Sequence, residues 1–125
     1  MMMSEQNTLY DRLGGYDAIA AVVNNLLPRL MSDSQLGRFW ENRGDDGIAR
    51  EKQLLIDFLC ANAGGAVLYT GRDNSTSHRG MGISEQDWTC FISHLKDTLN
   101  HFQVPDSEKG DVLTFIESTK VDIVE

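Results

Sequence analysis

The stretch that decides the fold is Thr70-Gly-Arg-Asp-Asn-Ser-Thr-Ser-His78-Arg-Gly-Met-Gly-Ile-Ser84. Its Gly, Ser, Thr and Asn residues disfavour a long helix, but helical sequence precedes and follows it. We therefore expect His78 to be held on a loop or a single helical turn against a core. A neutral imidazole presented in this way is a good ligand for iron, with its second ring nitrogen oriented by a hydrogen bond. The competing interpretation is a solvated surface residue, the commoner fate of a lone His in a polar loop.

Length and charge restrict the class of protein. The 125 residues fit one domain, which at this size buries about two thirds of its unfolded surface. The formal net charge of −8 argues against nucleic acid and anionic membranes as partners, since both are bound through Lys and Arg. The longest uninterrupted apolar run, 18–23, is too short for a signal peptide or a membrane span, so the sequence predicts a cytoplasmic protein.

Helical periodicity covers most of the chain, and no strand signal or internal repeat interrupts it. Residues 1–7 are expected to form a mobile tail, followed by a short helix Leu9–Leu13 that Thr8 caps and Gly14-Gly15 ends. The most regular segment is 16–31, with apolar residues at Ile19, Val22, Val23, Leu26, Leu27, Leu30 and Met31. A short turn from Asp33 follows and carries Leu36, Phe39 and Trp40.

Two further helices follow the His78 stretch. Ser84-Glu-Gln-Asp87 is a capping-box sequence and begins a helix that runs to Phe102. Pro105 begins the last helix, whose apolar period continues to Ile123. His94 and His101 lie off the apolar stripe of their helix and are predicted to be solvated. Cys60 and Cys90 fall within helices and suit buried, reduced thiols.

The helix from Gly47 or Ile48 to Ala63, with Asp45 or Asp46 as its cap, is apolar on two sides. At 100° per residue, one face carries Lys52 and Gln53 together with Ile48, Ala49, Leu55, Ile56, Leu59, Cys60 and Ala63. Leu54 and Phe58 point the other way. Such a helix is expected between a core and a bound apolar group. The alternative is that Lys52 extends to water and Gln53 satisfies a backbone group.

Several short motifs resemble one family when taken in order. They are Leu9-Tyr-Asp-Arg-Leu-Gly-Gly15, Gly64-Gly65, Tyr69-Thr-Gly71, His78-Arg-Gly-Met-Gly-Ile83 and Val104-Pro105. Their order and spacing resemble the truncated haemoglobins of group I, including the cyanoglobins. The resemblance implies an all-α, truncated globin fold, a two-over-two helical sandwich around haem, with residues 8–125 as its single domain. It also implies haem b, one per chain, as the cofactor.

The resemblance assigns roles to individual residues. It implies that His78 is the proximal iron ligand and that Trp40, beside Phe39, stands at the corner where the family usually packs Phe on the haem plane. Leu27 stands where most of the group has a Tyr that hydrogen-bonds the bound ligand, so that mechanism does not carry over whole. The remaining expected haem contacts are Ala49, Ile56, Tyr69, Met81, Ile83, Trp88, Phe91 and Ile116.

The two polar residues of the helix 48–63 also match family positions. Gln53 matches the family's distal glutamine, and Lys52 matches the residue before it, which commonly meets a haem propionate. Lys52 is also the nearby side chain that could reach the iron if deprotonated, although pairing with a propionate would keep it charged. The sixth iron ligand is therefore left open between Lys52, water and none.

The function implied is reversible binding of O2, NO or CO at a His-ligated iron, for oxygen binding or transport or for NO detoxification. A secondary NO dioxygenase or weak peroxidase activity would need a reductase. The expected assembly is a monomer or a weak homodimer. Two alternatives stay open: a redox or gas-sensing haem module that acts through a partner, and a haem-free helical interaction domain, which would lack a Soret band. The sequence contains no P-loop, dinucleotide, GxSxG or HExxH motif.

Overall fold

The computed structural model describes residues 8–125, and within that range it is all-helical, without a strand. The predicted mobile tail, residues 1–7, lies outside the described residues. The helices are α1 Leu9–Leu13, α2 Tyr16–Ser32, a 3₁₀ helix Gly37–Trp40, α3 Asp45–Asn62, α4 Asn74–His78, α5 Glu85–His101, α6 Asp106–Ser118 and α7 Lys120–Ile123. This confirms the predicted all-α class. None of the helices in the described range is long and apolar enough to cross a membrane.

The predicted helix ends are mostly confirmed by their caps. Thr8 forms a capping box with Asp11 at the start of α1, and Ser84 forms one with Asp87 at the start of α5. The cap predicted for α3 is wrong, because the helix begins at Asp45 after Gly44. Asp45 and its neighbour Asp46 lie instead in the first turn, where acidic side chains favour the helix dipole.

The last predicted helix is also divided. It ends at Ser118, and the short α7 begins after Thr119. The buried Thr119 hydroxyl donates to the Ile116 carbonyl at 2.6 Å, and the Thr119 amide donates to the same carbonyl at 2.9 Å. Because both bonds close a tight turn, the chain changes direction there, and α7 packs against α4.

The helices bury two apolar clusters on the sides of α2. The larger joins α2 to α5 and α6 and consists of Leu26, Leu27, Leu30, Leu36, Trp88, Leu95, Leu99 and Ile116. The smaller joins α2 to α3 and consists of Ile19, Val23, Ile56 and Cys60. The contacts between helices agree with these two clusters, since α2 packs on both α3 and α5. Helix α4 packs separately, on α7. No comparably extensive contact joins α3 to α4 or α5 within residues 8–125.

A buried carboxylate ties the start of α5 to the 3₁₀ helix. Asp87 is 1% exposed and accepts hydrogen bonds from Arg38 Nη2 at 2.7 Å, Gln35 Nε2 at 2.7 Å and the Ser84 amide at 2.9 Å. The Arg38 guanidinium, followed by the Ser84 and Gln35 donors, holds the pKa of Asp87 well below its usual range, although burial acts in the opposite direction.

A second link joins the same two parts of the chain and corrects the prediction for His94. His94 is half-buried rather than solvated, and its Nε2 lies 2.7 Å from the Asp33 carboxylate. The other carboxylate oxygen of Asp33 accepts from the Gln35 and Leu36 amides. The His94 contact, followed by these amides, lowers the pKa of Asp33. The turn that carries Phe39 is therefore fixed to α5 at two points.

We expect Asp87→Asn to lower the free energy of unfolding at pH 7 by about 1.5 to 3 kcal/mol, because it weakens hydrogen bonds to a charged group. The folded pKa of Asp87 is depressed, so its contribution is complete above the unfolded pKa of about 3.9 and is lost as the pH falls through the folded pKa. The difference between the two proteins should therefore be smaller at pH 3 than at pH 7. Urea denaturation at both pH values measures it.

The control is Asp97→Asn, which makes the same charge change on an exposed residue of α5. It should change the free energy of unfolding by less than about 0.5 kcal/mol. An Asp87→Asn protein as stable as the parent at pH 7 would show that the buried carboxylate does not stabilise the link between α5 and the 3₁₀ helix.

Candidate functional site

His78 is the last residue of α4, a helix of five residues. The Asp73 side chain caps the helix by accepting from the Thr76 amide at 2.7 Å, and the Ser77 amide donates to the Asp73 carbonyl at 2.9 Å. After His78 the backbone leaves the helix at Arg79. Of the two arrangements expected for His78, a loop or a single helical turn, the structure shows a short helix.

The His78 ring is oriented by its own helix. Its Nδ1 lies 2.9 Å from the Asn74 carbonyl oxygen and 3.1 Å from the Ser77 hydroxyl. A carbonyl only accepts hydrogen bonds, so the proton of the neutral ring belongs on Nδ1. This leaves Nε2 with a free lone pair, which is the arrangement of a metal-ligating His.

A site with one imidazole can bind only certain kinds of metal cofactor. In the described part of the chain, no three His, Cys, Asp or Glu residues form a cluster that could hold a metal ion. One nitrogen cannot retain a free ion, but it suffices for an iron whose other equatorial ligands come with a macrocycle. The donor set around His78 therefore fits haem.

Six of the predicted cofactor contacts belong to the larger apolar cluster. Leu27, Trp88 and Ile116 are buried members of it, and Phe39, Trp40 and Phe91 are half-buried and pack against it. The Phe39 and Trp40 rings meet edge to face at 6.4 Å. The structure therefore brings the corner of the 3₁₀ helix together with apolar side chains of α2, α5 and α6.

The corner is supported from outside by Arg38. Its guanidinium lies 4.3 Å from the centre of the Phe39 ring, while the same side chain binds the buried Asp87 carboxylate. The Trp88 ring, next in sequence to Asp87, donates its Nε1 hydrogen to Glu117 at 2.5 Å. Neighbouring residues of α5 thus fix the corner on one side and α6 on the other.

The structure places Gln53 apart from the larger apolar cluster. Gln53 is exposed, and its amide nitrogen donates to the Tyr16 hydroxyl at 2.7 Å and to Asp57 at 3.0 Å. The reason is the rotation of α3 about its axis: the face that carries Ile56 and Cys60 packs on α2, so this face belongs to the core. Gln53 lies at the outer edge of that face, beside the start of α2.

Other predicted cofactor contacts, on α3 and in the loop after His78, also lie outside the larger cluster. Ile56 is buried, but in the smaller cluster against α2, and Ala49 is exposed. Lys52 is half-buried, and none of the ion pairs found among residues 8–125 involves it. Met81 is 38% exposed and Ile83 half-buried, both in the loop that follows His78.

The side of α3 that was predicted to point away lines a cavity of about 480 Å³. Phe58 contacts there the predicted cofactor residue Tyr69, with ring centres 5.4 Å apart, and Phe115 of α6 at 5.9 Å. Asn74, whose carbonyl orients His78, lines the same cavity. Phe58 and Phe115 are therefore site candidates that the sequence analysis missed, although the two apolar sides of α3 contained the signal.

A second, apolar cavity of about 290 Å³ lies among α1, α2, α3, α5 and α6. Leu55 and Leu59 of α3 line it together with Leu26, Phe91 and Ile116. It adjoins the larger cluster, so the apolar surface of α3 continues from the core toward the predicted cofactor residues. Leu55 and Leu59, rather than Gln53, are the residues that α3 contributes to this surface.

Comparisons with known proteins identify the family of the chain. The family model for bacterial-like globins matches residues 8–125. The chain is 32% identical over 110 residues to the group 1 truncated hemoglobin GlbN of Mycolicibacterium paratuberculosis, covering 88% of this chain and 79% of that protein. It is 27% identical over 122 residues to the group 1 truncated hemoglobin of Tetrahymena pyriformis, covering 98% of each.

Solved structures match the fold as well. The crystal structure of the Tetrahymena pyriformis truncated hemoglobin in its Fe(III) form aligns with a TM-score of 0.86 at 26% identity, covering 94% of this chain and 98% of that one. The 2/2 hemoglobin from Synechococcus aligns with a TM-score of 0.82 at 24% identity, covering 91% of this chain and 94% of that one, a likeness of fold alone. The predicted two-over-two globin fold is confirmed.

Proposed function

The chain belongs to the bacterial-like globin family, and we propose that it binds one haem b through His78 and reversibly binds O2, NO or CO at the iron. The observation that carries the proposal is the hydrogen bond from the His78 ring to the Asn74 carbonyl. It leaves Nε2 as the free ligand atom, and the larger cluster supplies apolar side chains on which a flat macrocycle can pack.

The residues that would hold haem divide into three groups. His78 supplies the ligand atom; Leu27, Phe39, Trp40, Trp88, Phe91 and Ile116 supply apolar contact; and Tyr69, Met81, Ile83, Phe58 and Phe115 border the α4 side. When bound, haem supplies a ferrous iron able to bind a diatomic gas. The apolar side chains exclude water, which lowers the local dielectric and favours a neutral ligand over a charged one.

The α2 and α3 side chains that line the apolar surface offer a bound gas little hydrogen bonding. Leu27 and Leu55 are hydrocarbons, and the Gln53 amide is used by Tyr16 and Asp57. O2 held at a ferrous centre carries partial negative charge and escapes more slowly when a donor faces it. We therefore expect fast release of O2, which suits reversible binding. Oxidation of NO by O2 would be secondary and would need a reductase as a partner.

We also propose the cellular location and the oligomeric state that were expected from the sequence. A cytoplasmic protein that is a monomer or a weak homodimer is in keeping with the net charge of −8, which makes like copies repel one another. Lys52 is proposed to meet a haem propionate, because it is half-buried at the edge of the apolar face of α3.

We expect His78→Ala to lose the five-coordinate histidine-type ferrous spectrum while it retains most of its helical circular dichroism. Free imidazole should restore that spectrum, because it replaces the deleted ligand. His101→Ala is the matched control, since His101 is exposed at the end of α5, and it should keep the parent spectrum. The parent with haem should also unfold at a higher temperature than the apoprotein, because haem binds the folded state. An unchanged histidine-type spectrum in His78→Ala would overturn the assignment.

We expect Leu27→Tyr to slow O2 dissociation by about tenfold or more, because a hydrogen bond to a charge-bearing ligand is worth about 1.5 to 3 kcal/mol. CO dissociation should change little, since bound CO carries less negative charge. Gln53→Leu should leave the O2 dissociation rate within about twofold of the parent, because that amide faces Tyr16. Stopped-flow ligand replacement measures all three rates. Fast O2 loss in Gln53→Leu but not in the parent would show that Gln53 turns inward when haem is bound.

A further inference from the structure

The loop that follows His78 is fixed by a residue from the far end of the chain. The Gly80 amide donates to Oε2 of Glu125 at 3.0 Å, and the Gly82 amide donates to Oε1 at 2.6 Å. The Glu125 amide in turn donates to the Ile83 carbonyl at 2.8 Å. One residue therefore makes three hydrogen bonds to a loop of five residues, 79–83.

The conformation of the two glycines creates the binding site for this carboxylate. Gly80 has φ +83° and Gly82 has φ +69°, backbone conformations that residues with a side chain rarely adopt. A Cβ built at either position would meet nothing within 4 Å, so close packing does not explain the glycines. Left-handed residues alternating with ordinary ones let nearby N–H groups converge on one anion. The glycines of the His78-Arg-Gly-Met-Gly motif thus form a small anion-binding turn.

The segment that carries Glu125 is itself held on the His78 side of the molecule. Helix α7 packs directly against α4. Lys120 of α7 forms an ion pair with Glu85 at the start of α5, with nitrogen and oxygen 2.7 Å apart. The Gly80 and Gly82 amides lower the pKa of Glu125, so this side chain is charged at neutral pH. Residues 119–125 therefore contact α4, the loop and α5 together.

We propose that Glu125 is a positioning residue for His78: its carboxylate holds the loop 79–83 and so fixes the orientation of the imidazole at the end of α4. The inference rests on the proposed haem site. The backbone of His78 continues directly into this loop at Arg79. The His78 ring is held separately, by the hydrogen bond from Nδ1 to the Asn74 carbonyl. Because the loop 79–83 fixes the backbone and the Asn74 carbonyl fixes the ring, the imidazole has little freedom to rotate or to withdraw from an iron.

The carboxylate is required because two donors point at one group. In Glu125→Gln the amide oxygen can accept from one glycine, but the NH2 group opposes the second N–H. In Glu125→Ala both bonds are lost. Asp97→Asn makes the same charge change on the exposed side of α5 and serves as the control for net charge.

The experiment compares the parent, the two Glu125 variants and Asp97→Asn as haem-loaded proteins. Resonance Raman spectra of the ferrous forms report the iron–histidine stretching band, and transfer of haem to an excess of apomyoglobin reports haem loss. Amide hydrogen exchange of the apoproteins provides a readout without haem. We expect a shifted or broadened iron–histidine band and haem loss about tenfold faster in Glu125→Ala, with a smaller change in Glu125→Gln.

Amide exchange has an internal control. The Gly80 and Gly82 amides should exchange about tenfold faster in Glu125→Ala, whereas the Ser77 amide, bonded to the Asp73 carbonyl, should not change. Identical Raman bands and haem-loss rates in the parent and Glu125→Ala would overturn the positioning role. A parent protein without any iron–histidine band would instead overturn the proposed haem site, so the two failures are distinguishable.

Discussion

A five-residue helix carries His78, the proposed iron ligand, and this constraint accounts for much of the surrounding structure. Isolated helices of that length are not stable in water, because the first turn fixes several residues for one hydrogen bond. Helix α4 therefore depends on what surrounds it: the Asp73 cap at its start, α7 along its side, and the loop 79–83 at its end. The hydrogen bond inside α4 from the His78 ring to the Asn74 carbonyl then gives the imidazole its tautomer.

Through its first turn, helix α5 connects the His78 side of the molecule to the 3₁₀ helix. Its first turn contains Asp87, which binds Arg38 beside the aromatic corner, and Trp88, which is buried in the larger cluster and bonded to Glu117. Because a buried carboxylate is costly unless fully paired, the contact with Arg38 has to form whenever α5 is packed. Correct packing of one helix thus positions both the 3₁₀ helix and α6.

Most of the fold was predictable because its signals are local. The 3.6-residue period, Thr8 and Ser84 as caps and the Gly-rich stretch before α5 depend only on neighbouring residues. The rotation of α3 was not predictable, because a helix with two apolar sides has two equivalent choices for the side that meets the core. Burial of Ile56 against α2 decides between them, and this decision moved Gln53 outward and brought Phe58 to the cavity. A helical wheel contains no information about that choice.

Contacts between distant residues were equally absent from the sequence patterns. The Asp87–Arg38 pair is separated by 49 positions, and the Glu125–Gly80 pair by 45. Both are electrostatic contacts between distant parts of the chain, and they differ in what they constrain. The first fixes the 3₁₀ helix that carries Phe39 and Trp40; the second fixes the loop next to His78. In the proposed function, the hydrocarbon side chains of Leu27 and Leu55 would give a bound gas no hydrogen bond from α2 or α3. Under the proposed function, control over ligand affinity would fall to the His78 side, where the packing of α7 and the Glu125 carboxylate hold the segment next to the imidazole.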